Sequence, residues 1–216
     1  MKQVVLLLLI VFFISCDYHN DDVLVNQLKT HININKRYGV KSGVIKYKIT
    51  LSGNVMENEV SGAGFENYYF DNWGIKSLKE EEITKTTKAI FFNKVKEEKI
   101  KIHKLQKIEG DTIFKVDFYT KKIYKLFNKN IEVTSCSNQI LNNLGGEKLG
   151  TEIYKGYDCE IWNINGTKQW LYKGIPLKIE HTLIGVKTIK EAVIADFNVI
   201  IVNNQFELPN YPIIKK

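Results

Sequence analysis

Apolar and polar residues alternate along most of this chain in short segments. Residues 43–51 place four apolar side chains on one face, namely Ile45, Tyr47, Ile49 and Leu51. A period of two turns one face of a strand toward a core and leaves the other in water. Similar runs, rich in β-branched and aromatic residues, occupy 64–71, 88–94, 99–105, 112–119, 122–127, 157–164, 168–172, 177–182 and 189–202. The pattern predicts a protein built mainly of short β-strands.

Turn-forming residues separate many of these runs. They include Glu109-Gly110-Asp111, Asn165-Gly166 and Lys173-Gly174-Ile175-Pro176, where glycine supplies a positive φ and Asn-Gly favours a tight hairpin. Amphipathic stretches at 23–34 and 138–144 predict two short helices, the second ending before Gly145-Gly146. The regular spacing of strands and turns favours one antiparallel sheet over a parallel α/β fold. We expect a single mainly β domain, of α+β type, over residues 23–216.

The first 15 residues have the pattern of an export signal. Lys2 precedes an apolar run at 4–14 and the small residue Ser15, and this run is too short to cross a bilayer, which takes about 20 residues. The sequence Phe13-Ile14-Ser15-Cys16 resembles the lipobox of bacterial lipoproteins, although Phe13 stands where leucine is usual. The resemblance implies a signal peptide at 1–15, a lipid-modified Cys16, with palmitate-like chains, and a polar tether within 16–22. A plain signal or an uncleaved anchor are the alternatives.

The charge of the chain does not indicate a nucleic-acid site. Lysine and arginine number 31 against 24 acidic residues, a net charge of +7, and the lysines are spread over alternating segments instead of forming a block. This distribution is typical of a solvated surface. Cys136 and Cys159 could form a disulfide in an exported chain, or both could be buried free thiols.

Signatures of catalysis are absent from the sequence. The four histidines are scattered, and the chain has neither a Cys-x-x-Cys motif, nor a Gly-x-Ser-x-Gly motif, nor a phosphate-binding glycine-rich loop. The acidic run Glu80-Glu81-Glu82 could bind a cation but is flanked by lysines, and we expect it in a solvated loop or at a strand edge. We therefore expect no enzyme activity, no catalytic residue, no metal and no cofactor.

Several segments dispersed over the chain resemble a family of uncharacterised exported bacterial proteins. They are YGVKSGVIKY at 38–47, NYYFDNWG at 67–74, GTE at 150–152, YDCEIW at 157–162, WLYKGIPLK at 170–178 and FELP at 206–209. Such proteins look like relatives of the periplasmic lipoprotein carrier and outer-membrane lipoprotein receptor (LolA/LolB-like) fold. The resemblance implies a curved antiparallel sheet, an unclosed half-barrel, with one or two short helices on its concave apolar face, which accepts acyl chains.

The aromatic residues, 11 Phe, 11 Tyr and 3 Trp, could line such a groove. The candidate ligand-binding residues are Tyr47, Tyr69, Phe91, Phe114, Trp162 and Trp170, on whichever strand face is concave. The leading hypothesis is an exported lipoprotein, anchored in the cell envelope through Cys16, that binds a lipid or another hydrophobic ligand. The alternative is an envelope structural or protein-interaction module with a filled core and no ligand. Neither hypothesis identifies a protein partner, a particular membrane or a side of it.

Overall fold

The computed structural model of the protein describes residues 36–91, 94–127 and 138–215. Most of them belong to twelve strands of one sheet, and one short helix, α1, spans Asn138–Asn143. The strands are β1 Gly43–Val55, β2 Asn58–Asp71, β3 Lys76–Phe91, β4 Lys94–Glu109, β5 Thr112–Asp117, β6 Lys122–Phe127, β7 Gly146–Tyr154, β8 Tyr157–Ile164, β9 Thr167–Tyr172, β10 Ile175–Leu183, β11 Val186–Phe197 and β12 Ile213–Lys215. Two 3-10 turns lie at Asn72–Gly74 and Asn203–Phe206.

The sheet consists of two antiparallel meanders joined side by side. Its order is β12-β6-β5-β4-β3-β2-β1-β11-β10-β9-β8-β7. The meander β1–β6 meets the meander β7–β11 where β1 pairs antiparallel with β11, and β12 adds a short parallel strand beside β6. Because β12 and β7 lie at opposite ends of this order, the sheet is open. The predicted fold class, a curved antiparallel sheet that does not close, is confirmed.

Curvature arises partly from irregular pairing. The register shifts between Lys46 and Tyr47 opposite β11, and between Pro176 and Lys178 opposite β9. An extra residue on one strand bends that strand and increases its twist. Both shifts lie near the middle of the sheet order, and the sheet is bent there.

The predicted alternation is clearest in β1. Ile45, Tyr47 and Ile49 are buried, whereas Lys46 and Lys48 between them are exposed. The turns Asn165-Gly166 and Lys173-Gly174 have positive φ at both residues, the conformation that matches the twist of a two-residue hairpin. The helix predicted at 138–144 corresponds to α1, and the helix predicted at 23–34 lies outside the described residues.

Three parts of the strand prediction were wrong. The run at 88–94 covers the end of β3 and the beginning of β4, and most of β3 was missed because its acidic run was expected in a solvated loop or at a strand edge. Cross-strand partners make that strand possible, since Glu81 pairs with Lys104 and Glu80 with His103. The edge strand β7 was not among the predicted runs, and β11 ends at Phe197, before 202.

Three clusters of buried side chains stabilise the sheet. The largest contains Ile45, Tyr47, Phe70, Trp170 and Leu177 among others. The second contains Leu78, Leu105 and Phe206, where the C-terminal segment covers β3 and β4. The third joins Leu141 of α1 to Trp162 and Leu171. Within the described ranges, no helix has the length and apolar character needed to cross a membrane.

Candidate functional site

The candidate site is a cavity of about 470 Å³ on the concave face of the sheet. Side chains from β1–β5 and from β9–β11 line it, so its two walls come from strands far apart in the sheet order. Successive residues of a strand point to opposite faces, and this decides which residues reach the cavity. Its apolar part is formed mainly by Tyr47, Ile108, Ile113, Leu171, Pro176 and Ile179.

A larger cavity, of about 610 Å³, lies at the hairpin ends of β1–β2 and β3–β4. Small, polar and exposed residues dominate its described lining, which includes Ser52, Asn54, Glu57 and Glu59. Ligand sites are usually concave and largely apolar, with a few polar groups at defined positions. The cavity of the concave face fits this description better, and we call it the groove.

A buried ion pair crosses the floor of the groove. Lys190 of β11 donates a hydrogen bond to Glu66 of β2, whose exposed fraction is only 2%. The Lys190 ammonium also lies 4.3 Å from the ring centroid of Tyr47. Burial lowers the pKa of Lys190, and the Glu66 carboxylate opposes this shift. The pair places two opposite charges, mutually neutralised, among apolar side chains.

Tyr47 is held in one orientation beneath this pair. Its hydroxyl donates to the backbone carbonyl oxygen of Pro176 at 2.8 Å, across the register shift of β10. Burial and the nearby Glu66 carboxylate raise the pKa of Tyr47 well above its ordinary value. The hydroxyl therefore stays protonated and serves as a fixed donor, while the ring forms part of the groove wall.

A cluster of hydroxyl groups lies on another part of the wall. The hydroxyl oxygens of Tyr38 and Tyr68 are 2.7 Å apart. Burial raises the pKa of Tyr68, and its hydrogen bonds with Tyr38 and Ser77 oppose the shift. Gly74 makes room for this arrangement, because it has φ +89° and a Cβ there would lie 2.7 Å from the Tyr38 ring.

Among the residues predicted from sequence to line a groove, Tyr47 does line it. Trp162 packs next to the groove, against Leu171 and Leu141, and its indole nitrogen donates to Glu160 at 3.1 Å. Trp170 is buried in the largest cluster and donates to Glu152 at 3.0 Å.

The remaining candidates lie elsewhere or are not described. Tyr69 packs in the cluster beneath the C-terminal segment, on the face opposite its neighbour Tyr68. Phe114 directly follows Ile113 on β5, so its side chain lies on the opposite face of the strand. The ammonium groups of Lys107 and Lys125 lie 5.9 and 5.8 Å from its ring centroid. The side chain of Phe91 lies outside the described residues. Ligand contact by any of these six residues stays a prediction.

Sequence reasoning missed the ion pair and the hydroxyl cluster. Glu66 lies on the same face of β2 as Tyr68 and Phe70, and this is the face that is buried. A charged residue on the apolar face of a predicted strand indicates that a residue of opposite charge is buried beside it, because burying an unpaired charge is too unfavourable. Lys190, which is 124 positions away, carries no comparable signal that identifies it as that partner.

The cysteine predictions fall partly outside the described residues, since Cys16 and Cys136 are both beyond them. Cys159 is a fully buried thiol, and burial raises its pKa to about 11. The thiolate, the reactive form, is therefore scarce at neutral pH. A pairing of Cys136 with Cys159 and a lipid on Cys16 stay predictions.

The acidic run of β3 contributes to a surface cluster whose geometry could hold a metal ion. One ligand atom each from Glu80, Glu82 and His103 can lie within 4.8 Å of one another. The His103 Nε2 and Glu80 Oε1 atoms are 2.9 Å apart, and the imidazole stacks on Phe118 at 3.8 Å between ring centroids. All three side chains are substantially exposed, and exposed acidic groups of this kind commonly pair with basic residues without a metal.

No protein-family profile matches the chain, and no curated protein resembles it significantly. Several solved structures overlap with it loosely. An uncharacterized conserved protein from Thermus thermophilus has a TM-score of 0.42 and 7% identity, covering 79% of this chain and 90% of its own. A DUF1329 family protein from Desulfovibrio piger has a TM-score of 0.28 and 9% identity, and the overlap covers 86% of this chain and 93% of that protein.

A third solved structure is a Vibrio parahaemolyticus domain named for outer-membrane lipoprotein sorting. It has a TM-score of 0.21 and 11% identity, covering 77% of this chain and 89% of its own. At these TM-scores the overlaps carry no argument about the function of this chain.

Proposed function

We propose that the protein binds a lipid acyl chain or another hydrophobic ligand in the groove. The observation that carries the proposal is the groove itself, a cavity of about 470 Å³ with apolar walls from both halves of a curved sheet. Its size falls within the range of small-molecule sites, about 300–1,000 Å³. An acyl chain that enters the groove leaves water, and each Å² of apolar surface that it buries contributes about 25 cal/mol to the free energy of binding.

We propose a binding role without catalysis. The ionisable groups at the groove floor, Lys190 and Glu66, neutralise each other, and Tyr47 donates its only hydroxyl proton to a backbone carbonyl. Groups committed to one another in this way are poorly placed to transfer protons to a substrate. The groove then acts by sequestering its ligand from water.

A charged residue in the apolar wall is expected to abolish this binding. Ile113→Asp places a carboxylate beside Ile108, its direct neighbour across β4 and β5. Desolvating that charge beneath an acyl chain is unfavourable, so the affinity for a fluorescent fatty acid should fall by about tenfold or more. The matched control is Ile194→Asp, at a residue 42% exposed and paired with the exposed Lys46.

Fluorescence titration of the purified protein, together with native mass spectrometry for co-purified lipid, provides the measurement. Thermal unfolding of both variants separates loss of binding from loss of folding. Ile113→Trp, which fills the groove without adding charge, should also weaken binding. If the wild-type protein neither carries lipid nor binds the fatty acid, the proposal is wrong and a module with a filled core becomes the better interpretation.

We further propose that Cys16 anchors the protein in the cell envelope through its acyl chains. Two or more chains hold a protein stably on a membrane, because each buried methylene contributes about 0.8 kcal/mol. Cys16→Ala is therefore expected to shift the protein from the membrane pellet to the soluble fraction after cell fractionation. Cys159→Ala, which leaves the proposed anchor intact, should not change the distribution. A Cys16→Ala protein that stays in the membrane fraction contradicts lipid anchoring.

A further inference from the structure

The charged groups of the groove face do not all neutralise one another. Glu66, Glu81 and Lys104 are direct neighbours across β2, β3 and β4, and so share one face. Lys190 pairs with Glu66, and Lys104 with Glu81 at 2.8 Å. These two ion pairs account for both carboxylates of this row, so their charges sum to zero.

Two further cations line the groove and form no ion pair with a carboxylate of the described residues. Lys79 lies on β3 between Tyr68 of β2 and Gln106 of β4. Arg37 precedes Tyr38, and its backbone amide donates to the Trp73 carbonyl oxygen at 2.9 Å. Within the part of the chain that the structure describes, neither Lys79 nor Arg37 belongs to an ion pair. The lining residues that the structure describes therefore carry a net positive charge.

Hydroxyl groups add to this positive part of the wall. Tyr68 is the cross-strand neighbour of Lys79, and its hydroxyl meets those of Tyr38 and Ser77. Hydroxyls and cationic side chains together are the usual donors for a carboxylate or a phosphate, and a guanidinium group can bind either one through two parallel hydrogen bonds. Apolar residues next to them, Ile108 and Ile113, extend the wall beyond the donors.

We infer that the ligand is a single-chain amphiphile with an anionic head group, whose head contacts Lys79 and Arg37 and whose chain lies along the isoleucine wall. This inference rests on the proposed function, since it specifies which hydrophobic ligand the groove accepts. Charge complementarity supports it: the head group supplies the negative charge that the lining lacks. Lys190 and Glu66 stay paired beneath the chain and do not contact the head.

The test compares three saturated ligands that each have 16 carbons: palmitate, cetyl phosphate and cetyl alcohol. Each displaces an uncharged naphthylamine fluorophore from the purified protein at low ionic strength. Because each charge-assisted hydrogen bond is about twice as strong as a neutral one, both anions should bind about tenfold more tightly than the alcohol. In the double variant Arg37→Gln/Lys79→Gln this preference should fall below about threefold, because the affinity for the two anions falls more than the affinity for the alcohol.

The control is Lys46→Gln/Lys48→Gln, which removes the same charge from two exposed positions of β1 on the face opposite Tyr47. It should keep the preference for anions. If none of the three ligands displaces the fluorophore, the proposed function itself fails. If all three bind equally to the wild-type protein, hydrophobic binding stands and the anionic head group is wrong. If the preference survives in Arg37→Gln/Lys79→Gln, the assignment of the head-group residues is overturned.

Discussion

Glu66→Gln is expected to lower the free energy of unfolding by about 3 kcal/mol at neutral pH, because it removes one partner of a buried ion pair. Glu66 is 2% exposed and the Lys190 side chain 18% exposed. The variant leaves the Lys190 ammonium beside a neutral amide, with little water to replace the lost charge. Chemical denaturation with urea measures the change.

The loss should depend on pH in a defined direction. Burial lowers the native pKa of Lys190, and Glu66 opposes that shift, so removing Glu66 lowers the native pKa further. The unfolded-state value stays at about 10.4. At a pH between the native pKa of Lys190 and its unfolded-state pKa, the native state binds fewer protons than the unfolded state, and stability therefore rises with pH. The difference between variant and wild type should shrink as the pH rises from neutral toward the unfolded-state pKa of lysine.

Two comparisons identify the ion pair as the cause. Glu59→Gln removes an exposed carboxylate of the same strand, which lies 3.7 Å from Lys88, and should change stability by less than about 1 kcal/mol. The double variant Glu66→Leu/Lys190→Met replaces both charges with apolar groups and should recover most of the loss. A double variant that is less stable than Glu66→Gln would show that the charges themselves stabilise the fold.

Phe70→Ala should destabilise the protein by about 3–5 kcal/mol, the usual range for a buried phenylalanine. The Phe70 side chain is fully buried, with ring centroids of Tyr38 and Tyr68 at 4.9 and 5.7 Å and that of Phe197 at 6.4 Å. Alanine leaves a void that these rings fill only in part. Since Tyr38 and Tyr68 line the groove, the same variant should also weaken ligand binding.

Phe65→Ala is the matched control, on the same strand at a residue 46% exposed. Its cost should be less than about 1 kcal/mol, and it should leave binding unchanged. Urea denaturation and fatty-acid titration of the two variants provide both measurements. Equal losses of stability would contradict the assignment of Phe70 to the core and of Phe65 to the surface.

Alternation predicts a strand well where one face meets a core and the other meets water. β1 satisfies this condition, because Ile45 and Tyr47 are buried while Lys46 is exposed. β3 does not, because much of its length carries charged residues that are stabilised by partners on β4. The residues of one strand do not show which neighbouring strand will pair with its charged side chains, so β3 could not be predicted from its own residues.

The groove was harder to predict than the sheet. Adjacent aromatic residues such as Tyr68 and Tyr69 are equivalent in sequence, yet only Tyr68 lines the groove while Tyr69 packs beneath the C-terminal segment. Which face is concave depends on the register shifts near Tyr47 and Pro176 and on the order of the strands. These are properties of the assembled sheet. The alternation of apolar and polar residues along a strand is the same whichever way the sheet bends, so it does not reveal the concave face.

The walls of the groove belong to one continuous hydrogen-bonded sheet from β5 to β9. A cavity between two bodies joined by a hinge can open while each body stays rigid. If the groove binds a ligand as we propose, a wider one has to be accommodated by unbending many strands slightly, and the elastic energy of such a deformation rises roughly with its square. The stiffness of the sheet then limits the thickness of the ligand, whereas its length is limited only by the extent of the wall.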